Sequence, residues 1–124
     1  MKICFFEVEA TEEKFFETAL AEYELIFAHN WQEAESDAGI LCLYIHTSAS
    51  ATVLDHFNHL KLITTRSMGY DHIDLDECTR RGIVVSNVPG TDANTVAEHT
   101  FALVLALSRR LNEVREANKH PEFS

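Results

Sequence analysis

The sequence predicts an α/β fold: a flavodoxin-like, five-stranded parallel sheet with helices on both faces, ending in a long apolar helix. Two observations carry that expectation. The short apolar runs at residues 2–6 and 39–45 lack the polar–apolar alternation of a half-exposed strand, as expected of strands buried on both faces. Helical stretches separate such runs along the whole chain, which is the pattern of crossover connections in a parallel sheet.

The elements follow in order. Residues 2–6 (Lys-Ile-Cys-Phe-Phe) form the first strand. Thr11 opens a helix with Glu12, Glu13 and Glu17 near its positive end and Phe15, Phe16, Ala19 and Leu20 as its apolar stripe. A second strand covers 24–28, and the polar stretch 29–37 around Trp31 holds one short helical turn. Residues 39–45 (Gly-Ile-Leu-Cys-Leu-Tyr-Ile) read as the strongest buried strand. Ser50 caps a helix carrying Val53, Leu54, Phe57 and Leu60, and a fourth strand lies at 62–65. After a Gly-bearing loop at 67–72, residues 75–81 form a short helix stopped by Gly82. The fifth strand is 83–86, and Pro89-Gly90 makes a turn. Asp92 or Asn94 caps a final helix that runs unbroken to about Ala117. Between Val96 and Leu107 that helix is apolar on nearly every side, apart from Glu98, His99 and Thr100. A helix with such a surface is built to be covered, by another subunit or by a second domain.

Composition narrows the function classes. With 124 residues, 46% apolar and 24% charged, the chain is sized for one globular domain with a real core. The net charge of −10 is concentrated early: residues 1–60 hold 11 acids against Lys2 and Lys14. That half repels phosphate backbones, so no nucleic acid is expected as a partner. No apolar run of membrane length and no secretory leader is evident, so no membrane partner is expected. The three cysteines, Cys4, Cys42 and Cys78, are far apart with no CxxC, and read as reduced core thiols of a cytoplasmic protein.

Ligands of open parallel sheets bind beyond the carboxyl ends of the strands. Three such edges stand out: Tyr44-Ile45-His46-Thr47-Ser48, Arg66-Ser67-Met68-Gly69-Tyr70-Asp71, and Asn87-Val88-Pro89-Gly90-Thr91-Asp92. A glycine after a strand lets successive N–H groups turn inward around an anion, and with Arg66 nearby a small carboxylate fits as a guest. A plain turn at Gly69, with Asp71 or Asp74 capping the next helix, explains the same residues. His56 and His59 are three apart, with His46 as a possible third ligand. They are a weak metal signal, and a solvated helix face is the expected reading, with no metal assigned. Ser67, Asp71 and His72 are too close in sequence, and lack the strand-to-helix elbow, for a nucleophilic triad. Glu98 and His99 point about 100° apart on a helix, so they form no acid–base pair.

The run Leu62-Ile63-Thr64-Thr65-Arg66-Ser67-Met68-Gly69-Tyr70-Asp71-His72-Ile73-Asp74 resembles the D-isomer-specific 2-hydroxyacid dehydrogenases, the D-lactate dehydrogenase branch above all. So do Gly82-Ile83-Val84-Val85-Ser86-Asn87-Val88-Pro89-Gly90, Val96-Ala97-Glu98-His99 and Arg109-Arg110. The resemblance is strong over 60–115 and holds in element order over 1–59. It implies a substrate-binding domain followed by a Rossmann NAD domain, with the active site between them. It also implies that backbone N–H groups at Met68 and Gly69 hold the substrate carboxylate, with Tyr44, Ile45 and His46 bordering the substrate. On the same basis Met68, Thr95 and Val96 lie on the cofactor side, Thr91-Asp92 lies near the cleft, and 92–117 is the inter-domain helix.

The family's Gly-x-Gly-x-x-Gly loop, catalytic arginine, acidic partner and histidine have no counterpart here. The chain, which ends in His-Pro-Glu-Phe-Ser, is therefore expected to be the N-terminal part of a substrate-binding domain. Alone it is expected to be inactive, with no catalytic residue and no tight NAD binding. A homo-oligomer through helix 96–107 is expected. The competing reading is a non-catalytic flavodoxin-like module that folds and self-associates. A receiver-like signalling domain would need a phosphoacceptor Asp at a strand end, and Tyr44-Ile45-His46 supplies none.

Overall fold

The computed structural model describes residues 1–90 and 93–119. The chain divides at Pro89 and Gly90 into two compact units. In the first, β1 (Lys2–Phe6), β2 (Glu24–Ala28), β3 (Ile40–Leu43), β4 (Leu62–Thr65) and β5 (Val84–Ser86) form one parallel sheet in the order β2-β1-β3-β4-β5. Its helices are α1 (Ala10–Ala19), α2 (Ala51–His56) and α3 (Leu75–Arg81). The second unit holds α4 (Ala93–Ser108) and α5 (Leu111–Ala117).

β1 lies inside the sheet between β2 and β3, and Ile3, Cys4, Phe5 and Phe6 are all buried, which is why its sequence shows no alternation. Side-chain period two sorts them onto opposite faces. Cys4 and Phe6 join Leu41, Leu43 and Ile63 in the larger core, closed by Val53, Leu54 and Phe57 and by Cys78 of α3. Ile3, Phe5 and Cys42 face the other way, against Phe16 and Leu20. Phe5 lies 4.6 Å from the Phe16 ring and 5.3 Å from Phe27. The three thiols are free and buried; burial pushes Cys4 up to about 12 and Cys42 up to about 11.

Several boundaries differ from expectation, each for a local reason. α1 begins at Ala10 with Glu9 as its N-cap rather than at Thr11, because the Glu12 carboxylate reaches back to the Glu9 N–H at 3.0 Å. Of its expected stripe only Phe16 and Leu20 pack inward, one turn apart, while Phe15 and Ala19 are exposed. β3 stops at Leu43, not residue 45, because the next amides donate to a side chain instead of a strand. α2 ends at His56, so Phe57 and Leu60 enter the core from beyond the helix. The histidine cluster is likewise structural at His56, whose Nε2 lies 2.8 Å from the Ala34 carbonyl and whose ring packs edge-on to Trp31.

Gly82 ends α3 as expected, in the left-handed region at φ +70°, and the Ile83 N–H donates to the Cys78 carbonyl. That bond holds Ile83 outside the sheet, and β5 starts at Val84. The long final helix is two: Arg110, at φ +51°, breaks it between α4 and α5. No glycine or proline marks that break in the sequence. Asn94 lies inside α4 and so does not cap it; Asp92, Thr91 and the terminal 120–124 lie outside the described residues. Val96, Phe101, Leu103, Val104, Leu105 and Leu107 are all exposed on α4.

Candidate functional site

The strand order reverses direction between β1 and β3, so the crevice beyond their carboxyl ends is where this topology receives ligands. Glu7 follows β1 there, and its backbone takes the left-handed conformation at φ +57°. A glutamate pays sterically for that conformation and keeps it only where its surroundings fix it. Those surroundings are visible. The Glu7 carboxylate accepts from the backbone N–H groups of Ile45 (3.2 Å), His46 (3.0 Å) and Thr47 (2.5 Å), three in succession. Its carbonyl accepts from Arg66 Nη2 at 2.5 Å.

Arg66 ties the strand ends together. Nη2 also donates to the Phe6 carbonyl at 2.9 Å, and Nη1 reaches the Glu12 carboxylate at 2.9 Å. Its guanidinium carbon stands 5.4 Å from the centre of the Tyr44 ring. Glu7, Glu9, Glu12, Tyr44, His46 and Arg66 line a cleft of about 640 Å³. The arginine expected to attract a carboxylate is therefore engaged with β1 and α1, a strut rather than a free anion receptor.

The loop after β4 has a different construction. Its carbonyls are held from behind: Ser67 O by the Val88 N–H at 3.1 Å, Met68 O by Asn87 Nδ2 at 2.8 Å, and Gly69 O by the Ser67 hydroxyl at 2.7 Å. In a trans peptide the N–H points opposite to its own C=O. Fixing these three carbonyls therefore directs the N–H groups of Met68, Gly69 and Tyr70 the other way, and none has a hydrogen-bond acceptor among the described residues. Three unpartnered, successive N–H groups are the donor set that an anion-holding concavity requires.

Thr65, fully buried, supports that loop. Its hydroxyl donates to the Tyr44 carbonyl at 3.2 Å and lies 2.6 Å from Ser67 Oγ and 3.4 Å from His72 Nε2. Ser67 and His72 thus meet at Thr65, in a supporting network with no nucleophile–base pair. The Ala49 N–H donates to the His72 carbonyl, closing the loop against the start of α2.

Burial alone would push the Glu7 carboxyl up, but the Thr47 hydroxyl and the N–H groups of His46, Thr47 and Ile45 together hold it below the ordinary glutamate value. Glu12 is also lowered, first by the Glu9 N–H, against burial, and with help from Arg66. Because the folded state depresses the Glu7 value, its contribution to stability is complete above the unfolded value of about 4.3 and is lost only as pH falls through the folded value. The Glu7 side-chain carboxyl carbon is expected to hold its NMR position from pH 7 to about 4.5 and to move only below that. A midpoint at or above about 4.3 would contradict the clamp.

The expected site residues fall in two groups. Met68, Gly69, Tyr44 and His46 all lie exposed at the carboxyl edge of the sheet, in the loops that follow the adjacent strands β3 and β4. Thr95 and Val96 lie exposed on the first turn of α4, in the second unit. Sequence reasoning missed Glu7, whose type follows no motif. It listed Asn87 and Ser67 in their loops without a role; both are short polar side chains able to bond a nearby backbone.

The family model for "D-isomer specific 2-hydroxyacid dehydrogenase, catalytic domain" matches residues 3–120. The chain is 34% identical over 106 residues to a glyoxylate reductase of Pyrococcus furiosus, covering 86% of this chain and 29% of that protein. A glyoxylate reductase of Thermofilum pendens is 46% identical over 74 residues, 60% of this chain and 22% of that protein. The fold superposes on a D-lactate dehydrogenase of Aquifex aeolicus, solved with NAD and lactic acid. The TM-score is 0.87 at 33% identity, over 98% of this chain and 38% of that one. The chain thus spans well under half the length of these proteins.

Proposed function

The chain belongs to the D-isomer-specific 2-hydroxyacid dehydrogenase family, within its catalytic domain, and from that premise we propose that it is the substrate-binding part of an NAD-dependent enzyme interconverting a small 2-hydroxy acid and its 2-oxo acid. The observation that carries the reading is the set of unpartnered N–H groups at Met68, Gly69 and Tyr70, fixed by their pinned carbonyls. They hold the substrate carboxylate with donors fixed before binding, so little ordering cost is left to the ligand. Tyr44 and His46 border the substrate's side chain, which makes this edge the selector among 2-oxo acids.

NAD, when bound, takes or gives the hydride. The four glycines, Gly39, Gly69, Gly82 and Gly90, offer no Gly-x-Gly-x-x-Gly spacing for a pyrophosphate. The dinucleotide is therefore held mainly by residues other than these, with Met68 on the cofactor side of the first unit. On this reading these 124 residues alone are inactive and work with an NAD domain outside them. It is a cytoplasmic protein that self-associates through helix 96–107. Among the described residues no helix is long and apolar enough to cross a membrane.

Oxamate, a 2-oxo acid isostere, tests the carboxylate site by calorimetry. Asn87→Ala frees the Met68 carbonyl and with it the Gly69 N–H, and loss of one such bond is expected to weaken oxamate binding about three- to tenfold. Equal affinity for both proteins would remove Asn87 from the account.

A further inference from the structure

Two runs of successive N–H groups stand at the ends of neighbouring strands, one at 68–70 beyond β4, without acceptors among the described residues, and one at 45–47 beyond β3. The second already holds an anion, the Glu7 carboxylate. A side chain from a different strand, on a backbone forced to positive φ, has been brought to that position. The bond from Arg66 to the Glu7 carbonyl holds it there.

We infer that Glu7 is a specificity-determining residue: its carboxylate fills the second N–H concavity and so bars substrates that carry a second negative group. The inference rests on the reading of 68–70 as the carboxylate site. Strand neighbours lie about 5 Å apart, and the Thr65 hydroxyl ties the two loops through the Tyr44 carbonyl. A 2-hydroxy diacid anchored at 68–70 would bring its far carboxylate to the neighbouring strand end. There it meets the occupied concavity and, around the same cleft, Glu9 and Glu12. Like charges at that range repel, and the diacid cannot displace a carboxylate tethered by its own chain. A singly charged 2-hydroxy acid with a short neutral side chain meets neither obstacle.

Glu7→Gly tests this well, because it removes the carboxylate and also suits the positive φ that glutamate adopts under strain. Glu7→Gln keeps the side-chain size without the charge and serves as the second variant. The 124-residue chain is titrated with D-lactate and with D-malate while the amides of 45–47 and 68–70 are followed separately by NMR. In the unaltered protein both ligands are expected to move 68–70 only, D-malate more weakly. In Glu7→Gly, D-malate is expected to move 45–47 as well and to bind at least tenfold more tightly than before, with D-lactate unchanged. Acetate at high concentration should also move 45–47 in Glu7→Gly and not in the unaltered chain. If neither D-malate nor acetate moves 45–47 in either variant, Glu7 does not guard an anion site, whatever happens at 68–70. If 45–47 respond in the variants but D-lactate never moves 68–70, the carboxylate site has been misplaced, and the barring of diacids fails with it.

Discussion

Replacing Phe6 by alanine is expected to lower the unfolding free energy by about 3–5 kcal/mol, the usual cost of emptying a buried phenylalanine site. Phe6 is fully buried at the end of β1, an interior strand, in the larger core with Leu43, Leu54 and Ile63. Its neighbours belong to a sheet and to segments already bonded on both sides, so they cannot collapse far into the space. Domains of this kind are stable by about 5–15 kcal/mol, so the loss is a large fraction of the whole. Urea unfolding should show a lower midpoint at unchanged slope. A loss under about 1 kcal/mol would mean that the site refills and that Phe6 does not anchor β1.

Arg66→Met ranks second, at about 2–4 kcal/mol. The guanidinium serves the Phe6 and Glu7 carbonyls, and methionine leaves both without that donor. The ion pair with Glu12, which is half-exposed, adds less than about 1 kcal/mol of this. Arg66→Lys should recover little, because one ammonium cannot span acceptors that a planar fork reaches together. The same substitution releases the Glu7 backbone, so the amides of 45–47 should shift along with the stability. A stable Arg66→Met protein with unshifted 45–47 amides would show that Glu7 holds its conformation unaided.

The strands were legible because burial on both faces writes an unbroken apolar run, as in 2–6 and 39–45. Gly82 was legible because only a left-handed residue ends α3 that way. The ends of β3 and of α4 were not. β3 is cut short by Glu7, which is distant in sequence from residues 45–47. Arg110 adopts a positive φ with no glycine or asparagine to announce it. At the site, the 66–71 loop was legible from its glycine and its family pattern. The means by which it presents its N–H groups was not, since Asn87, Val88 and Ser67 act through backbone bonds that no motif encodes. Arg66 was read as a ligand group because its charge is visible in the sequence while its partners are not. The packing of Phe15 was misread because helical spacing fixes a stripe's direction but not how much of it a neighbour covers.

On the proposed function, the loop beyond β4 offers three preset N–H groups to a 2-oxo carboxylate. Titrating the chain with pyruvate and following its backbone amides tests that most directly. Downfield movement of Met68, Gly69 and Tyr70 is expected with one common affinity, smaller changes at Tyr44, and none at 45–47 or along α1. Saturating pyruvate that leaves Met68, Gly69 and Tyr70 unmoved would contradict it.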